Sequence, residues 1–159
     1  MFMMDVYQIL KEKGIILPSP PPKGGIYSPV MNFSTNLLYC SGCGCDIGDG
    51  KSFVGKLGRE FTIEQGQEAA YNCVLNLLAN LDAKLGDLNR IKKFVKILAF
   101  VNSTEDFEQQ PMVVNGGSKL LLDIFGSEAG LPARTAVGCN TLPDGIACEM
   151  EVLLEIKDL

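Results

Sequence analysis

From Cys148 to Ile156, apolar and acidic residues alternate, broken only at Leu153. Cys148, Met150, Val152, Leu154 and Ile156 share one face, and Glu149, Glu151 and Glu155 share the other. A period of two is the side-chain period of a β-strand, so this segment must lie in a sheet with one face against a core. A one-residue slip would bury three glutamates, so its register is strongly specified.

The core against that face needs helices, and the chain supplies them. Thr62-Ile63-Glu64-Gln65 has the spacing of a capping box. Behind it Ala69, Ala70, Cys73, Val74, Leu77, Leu78 and Leu81 form one apolar stripe, and Gly86 can end the helix. A second helix is predicted from about Asp106 to Phe125, with Pro111 at its start or at a kink and Gly126 as its stop. Asn115-Gly116-Gly117 falls in its middle. Two glycines there cost about 1 kcal/mol each, so close packing or ligand approach has to explain them. A short N-terminal helix is predicted over 5–13, with Val6, Ile9 and Leu10 on one side and Gly14 as its end. Four prolines within Pro18–Pro22 then make an extended strap, so 1–24 reads as a helix and strap on one domain spanning 1–159.

The remaining segments read as strands. Leu37–Gly42 is short and apolar, and Ile91–Val101 is rich in β-formers and predicts a central strand. Arg134–Cys139, a turn through Leu142-Pro143-Asp144-Gly145, and Ile146–Ile156 read as a hairpin. The sum is an α+β sandwich with helices on one face of a mixed or antiparallel sheet. The other face carries Leu153 among its glutamates. Self-association through that face is the simplest cover.

Composition narrows the chemistry. The 159 residues include no His and no Trp, and 19 acidic residues outweigh 14 basic ones. Ser-His-Asp and Cys-His catalysis, His metal ligands and a His general base are excluded. The acidic balance argues against nucleic acid, which wants clustered Lys and Arg. The one basic cluster, Arg90, Lys92, Lys93 and Lys96, reads as a solvated strand edge. No apolar run reaches the length of a membrane span. Met1 to Glu12 lacks the pattern of a signal peptide, and six cysteines without one suggest reduced thiols in a cytoplasmic protein.

Few residues remain to carry chemistry. Cys40, Cys43 and Cys45 have C-x2-C-x-C spacing. A zinc site wants four ligands and often His, so buried small hydrophobes are the simpler reading, with a reactive thiol or metal site as alternatives. No metal and no cofactor are expected. Arg134 is either a surface charge or a carboxylate anchor, because guanidinium grips a carboxylate through two parallel hydrogen bonds. Glu149, on the strand across the predicted hairpin, is either its structural ion-pair partner or a carboxylate that positions water. Tyr27 reads as core, rim or site, and Asn115 as a polar contact on a helix face.

Several motifs together resemble the YjgF/RidA family of imine/enamine deaminases, also described as L-PSP endoribonuclease-like. Gly25-Ile26-Tyr27-Ser28 is similar to the family's Gly-Pro-Tyr-Ser start. Leu38-Tyr39-Cys40-Ser41-Gly42 is similar to its Ser-Gly-Gln strand. Arg134-Thr135-Ala136-Val137, Leu142-Pro143 and Glu149-Met150-Glu151 fall in register with its C-terminal signature. The Leu17-Pro18 strap, Gly55-Lys56-Leu57-Gly58, Gln65–Ala70 and Val114-Asn115-Gly116 resemble its longer branch of about 150 residues.

The resemblance implies a chorismate-mutase-like fold and a homotrimer whose sheets form a central barrel, with sites in clefts between subunits. It implies hydrolysis of 2-imino or enamine acids to keto acids and ammonia. Arg134 would hold the substrate carboxylate and Glu149 the attacking water. Ser41, Gly42 and Ala136 would orient both, with Tyr27 and Asn115 in the same or an adjacent cleft. A non-catalytic trimer that binds carboxylates or keto acids is the alternative, and an endoribonuclease or translation inhibitor a lesser one. Three positions depart from the family pattern. Cys43-Gly44-Cys45 stands where Gln and Pro are frequent, Ala136 where some members carry Cys, and Pro132-Ala133 where the longer branch often has His.

Overall fold

The computed structural model describes residues 5–157. Residues 1–4, where the N-terminal reading begins, and 158–159 lie outside the described residues. The elements in order are α1 (Val6–Glu12), β1 (Val30–Asn32), β2 (Leu37–Gly44), α2 (Ile63–Leu85), β3 (Ile91–Asn102), α3 (Gln110–Ala129), β4 (Ala133–Cys139) and β5 (Cys148–Ile156). Among the described residues, no helix is long and apolar enough to cross a membrane.

Local signals set the helix ends. Thr62 Oγ1 accepts from the Gln65 N–H, and Gln65 Oε1 accepts from the Thr62 N–H, completing the capping box. Gly86 ends α2 in the left-handed conformation with φ 73°. In α3, Pro111 falls in the first turn, where a missing N–H costs nothing. The expected stop at Gly126 is a kink instead: its backbone leaves the helical region, and one more turn runs to Ala129.

One mixed five-stranded sheet has the order β1-β2-β5-β3-β4. β5 is the central strand, antiparallel to β2 on one side and β3 on the other. The expected hairpin of β4 with β5 is therefore wrong. β4 pairs in parallel with β3, at the sheet edge. The reason lies in α3: parallel strands need a crossover of a dozen or more residues, and this 20-residue helix supplies it. The reading of Lys92 and Lys93 as a strand edge also fails, because β3 is interior. Both lysines pair with Glu155 of β5 across the sheet.

The alternation in β5 is obeyed to the residue. Cys148, Met150, Val152, Leu154 and Ile156 are buried under the helices, while Glu149, Glu151, Leu153 and Glu155 are half-buried on the opposite face. Register carries that division across the sheet. Ile97 and Arg134 align with Val152 on the helix side, and Phe100 and Val137 align with Glu149 on the open side. Gly116 and Gly117 bring α3 onto α2. A Cβ on Gly116 would stand 2.1 Å from the Gln67 carbonyl oxygen, and one on Gly117 would stand 2.8 Å from that of Ala70. Close packing is therefore the reason for both glycines.

Two half-sites on opposite faces of the sheet

The sequence-derived site residues fall into two groups. Tyr27, Ser41, Gly42 and Glu149 line one groove of about 580 Å3, together with Pro21, Pro22, Asn76 and Pro143. The proline strap forms one wall, and the Gly24 N–H donates to Tyr27 Oη at 3.3 Å. Register between β2 and β5 shifts between Cys40 and Cys43, so Ser41-Gly42 bulges at the groove. Ser41 is tied down by its backbone N–H to the Pro29 carbonyl and its hydroxyl to the Ser28 carbonyl, each at 2.8 Å.

Gly42 lies against the Glu149 side chain. A Cβ there would fall 2.1 Å from Glu149 Oε1 and 2.9 Å from its carboxyl carbon. Among the described residues no group donates a hydrogen bond to that carboxylate. Burial, and then the nearby Glu151, raise the Glu149 pKa above the ordinary carboxylate range. Ionised Glu149 is thus disfavoured by folding, and the sign follows. The folded state holds the proton to higher pH than the unfolded chain, so stability falls as pH rises through the raised pKa. Glu149→Gln should therefore gain stability relative to the wild type as pH is raised from about 4 to about 8. Urea unfolding midpoints of the two proteins over that range check it, and a constant difference would contradict it.

The second group gathers at the β4 edge. Arg134 Nη1 donates to Asn115 Oδ1 and to Ser118 Oγ, both at 2.9 Å, and Nη2 donates to the Pro111 carbonyl at 3.3 Å. All three acceptors belong to α3 and all are neutral. Among the described residues the guanidinium has no carboxylate partner. Ala136 follows on the same side of β4. The ion pair of Arg134 with Glu149, offered as one reading, is absent within the chain. The two residues occupy opposite faces, two strands and three residues apart, or roughly 14 Å between Cα atoms.

Cys40, Cys43 and Cys45 are buried in the core. Hydrogen bonding from Cys40 lowers the Cys43 pKa, and bonding from Cys73, with backbone N–H groups, brings Cys45 down to about 7. The sequence pattern singled out Asn115 but not Ser118 or the Pro111 carbonyl, and it passed over three asparagines of α2. Pro111, Asn115 and Ser118 lie at i, i+4 and i+7 on α3, a spacing that could have shown one face serving Arg134. Asn72, Asn76 and Asn80 form a stripe at i+4 intervals on the buried side of α2. Their amides donate to the Cys45 carbonyl, to the Gly44 and Asp46 carbonyls, and to Cys43 Sγ, at 2.7–3.2 Å. They hold Cys43–Asp46, where β2 re-enters the ladder after the Ser41-Gly42 bulge and then ends, so that the carbonyls beyond it need other partners.

Residues 9–156 match the family described as "YjgF/chorismate mutase-like, putative endoribonuclease". The chain belongs to the YjgF/RidA family. Within it the chain is 37% identical to "Protein TCP17" of Trypanosoma cruzi over 156 residues, 94% of this chain and 92% of that one. The crystal structure of Atu1372 from Agrobacterium tumefaciens, of unknown function, is 35% identical with a TM-score of 0.84, covering 96% of this chain and 92% of that one. A structure from Shewanella oneidensis, named as an endoribonuclease, is 27% identical with a TM-score of 0.90, covering 96% of this chain and all of that one. The YjgF chorismate-mutase-like fold is thus shared along nearly the whole chain.

Proposed function

We propose that this YjgF/RidA protein hydrolyses reactive 2-imino and enamine acids to keto acids and ammonia, and that it does so as a homotrimer. The observation that carries the reading is Arg134, a guanidinium oriented by three neutral oxygens and without a carboxylate partner among the described residues. Such a group is prepared for the carboxylate of a ligand. Glu149 supplies the second requirement, a half-buried carboxyl beside open groove space.

The open sheet face joins the two. It carries Leu98, Phe100, Val137 and Leu153 on one side of the sheet, with Tyr39 donating a hydrogen bond to Glu151. Packing three such faces around an axis closes the sheets into a barrel and covers them. It also sets the β4 edge of one subunit beside the groove of the next, so that Arg134 and a neighbouring copy's Glu149 serve one cleft. The protein would be cytoplasmic, with a small carboxylate as its substrate.

The chemistry suits a chain without histidine. Arg134 holds the substrate carboxylate, and water adds to the carbon of the protonated C=N bond. Glu149 takes a proton from that water and returns it to nitrogen; the C–N bond of the carbinolamine then breaks while its hydroxyl gives up its proton, by way of Glu149, to the departing ammonia, leaving keto acid and ammonium. The imine is already electrophilic, so positioning and proton transfer suffice. The endoribonuclease reading is weaker. Lys92 and Lys93 are paired with Glu155, and Lys96 donates to Thr135, so the basic cluster is engaged within the sheet.

The test generates 2-aminoacrylate or 2-iminobutanoate with a dehydratase and follows keto-acid release. Wild type is expected to accelerate release above the protein-free rate, and Arg134→Ala to lose about 10–100-fold, the worth of a charged hydrogen-bonded contact. Wild type that matches the protein-free rate would overturn the reading. Keto-acid binding lost in Arg134→Ala, without turnover, would then favour a carboxylate-binding trimer. Light scattering of the free protein should give three chain masses, and a stable monomer would overturn the shared cleft.

A further inference from the structure

The Gly55-Lys56-Leu57-Gly58 turn takes no part in either half-site, yet it is firmly built. Leu57 is fully buried, its N–H donates to the Asn102 carbonyl at 2.9 Å, and the Thr104 N–H donates back to the Leu57 carbonyl at 3.0 Å. Gly58 has φ +85°, and a side chain there would meet Thr104 Oγ1 at 2.6 Å. The turn is pinned to the end of β3.

Asn102, 2% exposed, is the hub. Its amide nitrogen donates to the carbonyls of Gly55, Gly145 and Ile146, and its oxygen accepts from Lys56 Nζ at 2.7 Å. The other acceptors of Lys56 Nζ are the carbonyls of Ser103, at 3.3 Å, and Asn140. All three are neutral. Among the described residues Lys56 has no ion-pair partner. The nearest acidic group in sequence, Glu60, is already used: one oxygen pairs with Arg59 and the other accepts the Lys56 backbone N–H.

This ammonium borders a cleft of about 750 Å3 that Arg59, Thr104, Phe107 and Gly138 also line, with Glu105 as its one carboxylate. Gly138 keeps the floor bare. A Cβ there would come within 2.9 Å of Ser103 Oγ and 2.8 Å of Gln110 Nε2. The cleft lies on the helix side of the β4 edge, four residues beyond Arg134, or roughly 13 Å along the strand. Its size is that of a small-molecule site.

We propose that this cleft is a second ligand site, which binds a small molecule through one oxyanion group, a carboxylate or a phosphate. A half-buried ammonium that faces only carbonyl dipoles has given up water without gaining a counter-charge. An anion in the cleft supplies it. The 3.3 Å bond to Ser103 is the longest of the three, and its proton is the one a ligand oxygen takes over. The Arg59 guanidinium and the Thr104 hydroxyl add donors, and Phe107 offers an apolar wall. The proposal is independent of the deaminase reading.

The probes are inorganic phosphate and benzoate, titrated into the full chain at low ionic strength by calorimetry. At least one should bind saturably, and which one does identifies the oxyanion. Lys56→Met should weaken that binding about tenfold or more, as loss of a charge-assisted contact does. Lys56→Arg should retain it within a few-fold, and Arg134→Ala should leave it unchanged. Gly138→Ala, which crowds the floor without touching a charge, should weaken it as well and serves where Lys56→Met does not fold. Absence of saturable binding by either probe overturns the site. So does wild-type affinity in Lys56→Met, or in Gly138→Ala where that variant stands in, and so does binding lost only in Arg134→Ala.

Discussion

Gly116→Ala is expected to lower the thermal midpoint by about 6–12 °C, although alanine is the better helix former. In an open helix the exchange would stabilise by about 1 kcal/mol. Here the new methyl would stand 2.1 Å from the Gln67 carbonyl oxygen and 2.7 Å from its Cα. These are backbone atoms of a facing helix, and no rotamer change relieves the contact. Helices α2 and α3 must separate, at a cost at the upper end of overpacking, about 3 kcal/mol. For a domain of this size each kcal/mol moves the midpoint by about 2–4 °C. Calorimetry of Gly116→Ala against Gly24→Ala checks it, because a Cβ on Gly24 meets nothing within 4 Å. Equal midpoints would mean that the two helices do not touch as described. The consequence extends to the site, since α3 carries the three oxygens that hold Arg134.

Gly42→Ala should leave the fold within about 1 kcal/mol of wild type and lower kcat/KM for imine hydrolysis about 100-fold. The clash again begins at 2.1 Å, but the atom met is Glu149 Oε1, at the end of a flexible side chain. That side chain swings aside at little cost to stability. Its displacement from the groove is what removes activity, since a 1 Å misplacement of a reacting group costs on the order of 10²-fold. Glu149→Gln should show a comparable loss, and the double variant should be hardly worse than either alone, as expected for residues acting through one group. Unimpaired turnover in Gly42→Ala would remove Glu149 from the mechanism.

The two glycine predictions show how legibility divides. Gly116-Gly117 is visible in the sequence as an anomaly inside an apolar helical pattern, and close packing is one of the two reasons open to it. Gly42 is visible only through its resemblance to a family motif, since nothing local tells which side chain lies against it. The asparagine stripe of α2 shows the opposite case. Its spacing is plain, but its partners are the Cys43 sulfur and the carbonyls at the end of β2, beyond a bulge that no pattern in 41–46 announces. The cysteines at 40, 43 and 45 resemble a ligand set by spacing, and burial decided their place in the core.

By itself, the chain's alternation and helical periodicity determined the three helices, the four longer strands, the buried face of β5 and the caps of α2, because these depend on neighbours within a turn or a pleat; the short β1 and the helical turn beyond Gly126 escaped them. The order of the strands was beyond that reach. Arg134 and Glu149 are 15 positions apart, close enough to suggest a hairpin, yet α3 carries β4 to the edge beside β3 and β5 enters the centre. Strand order is settled by which long-range pairing buries the most apolar surface, a property of the assembled core. Only the tertiary structure could therefore place the two residues on opposite faces of the sheet.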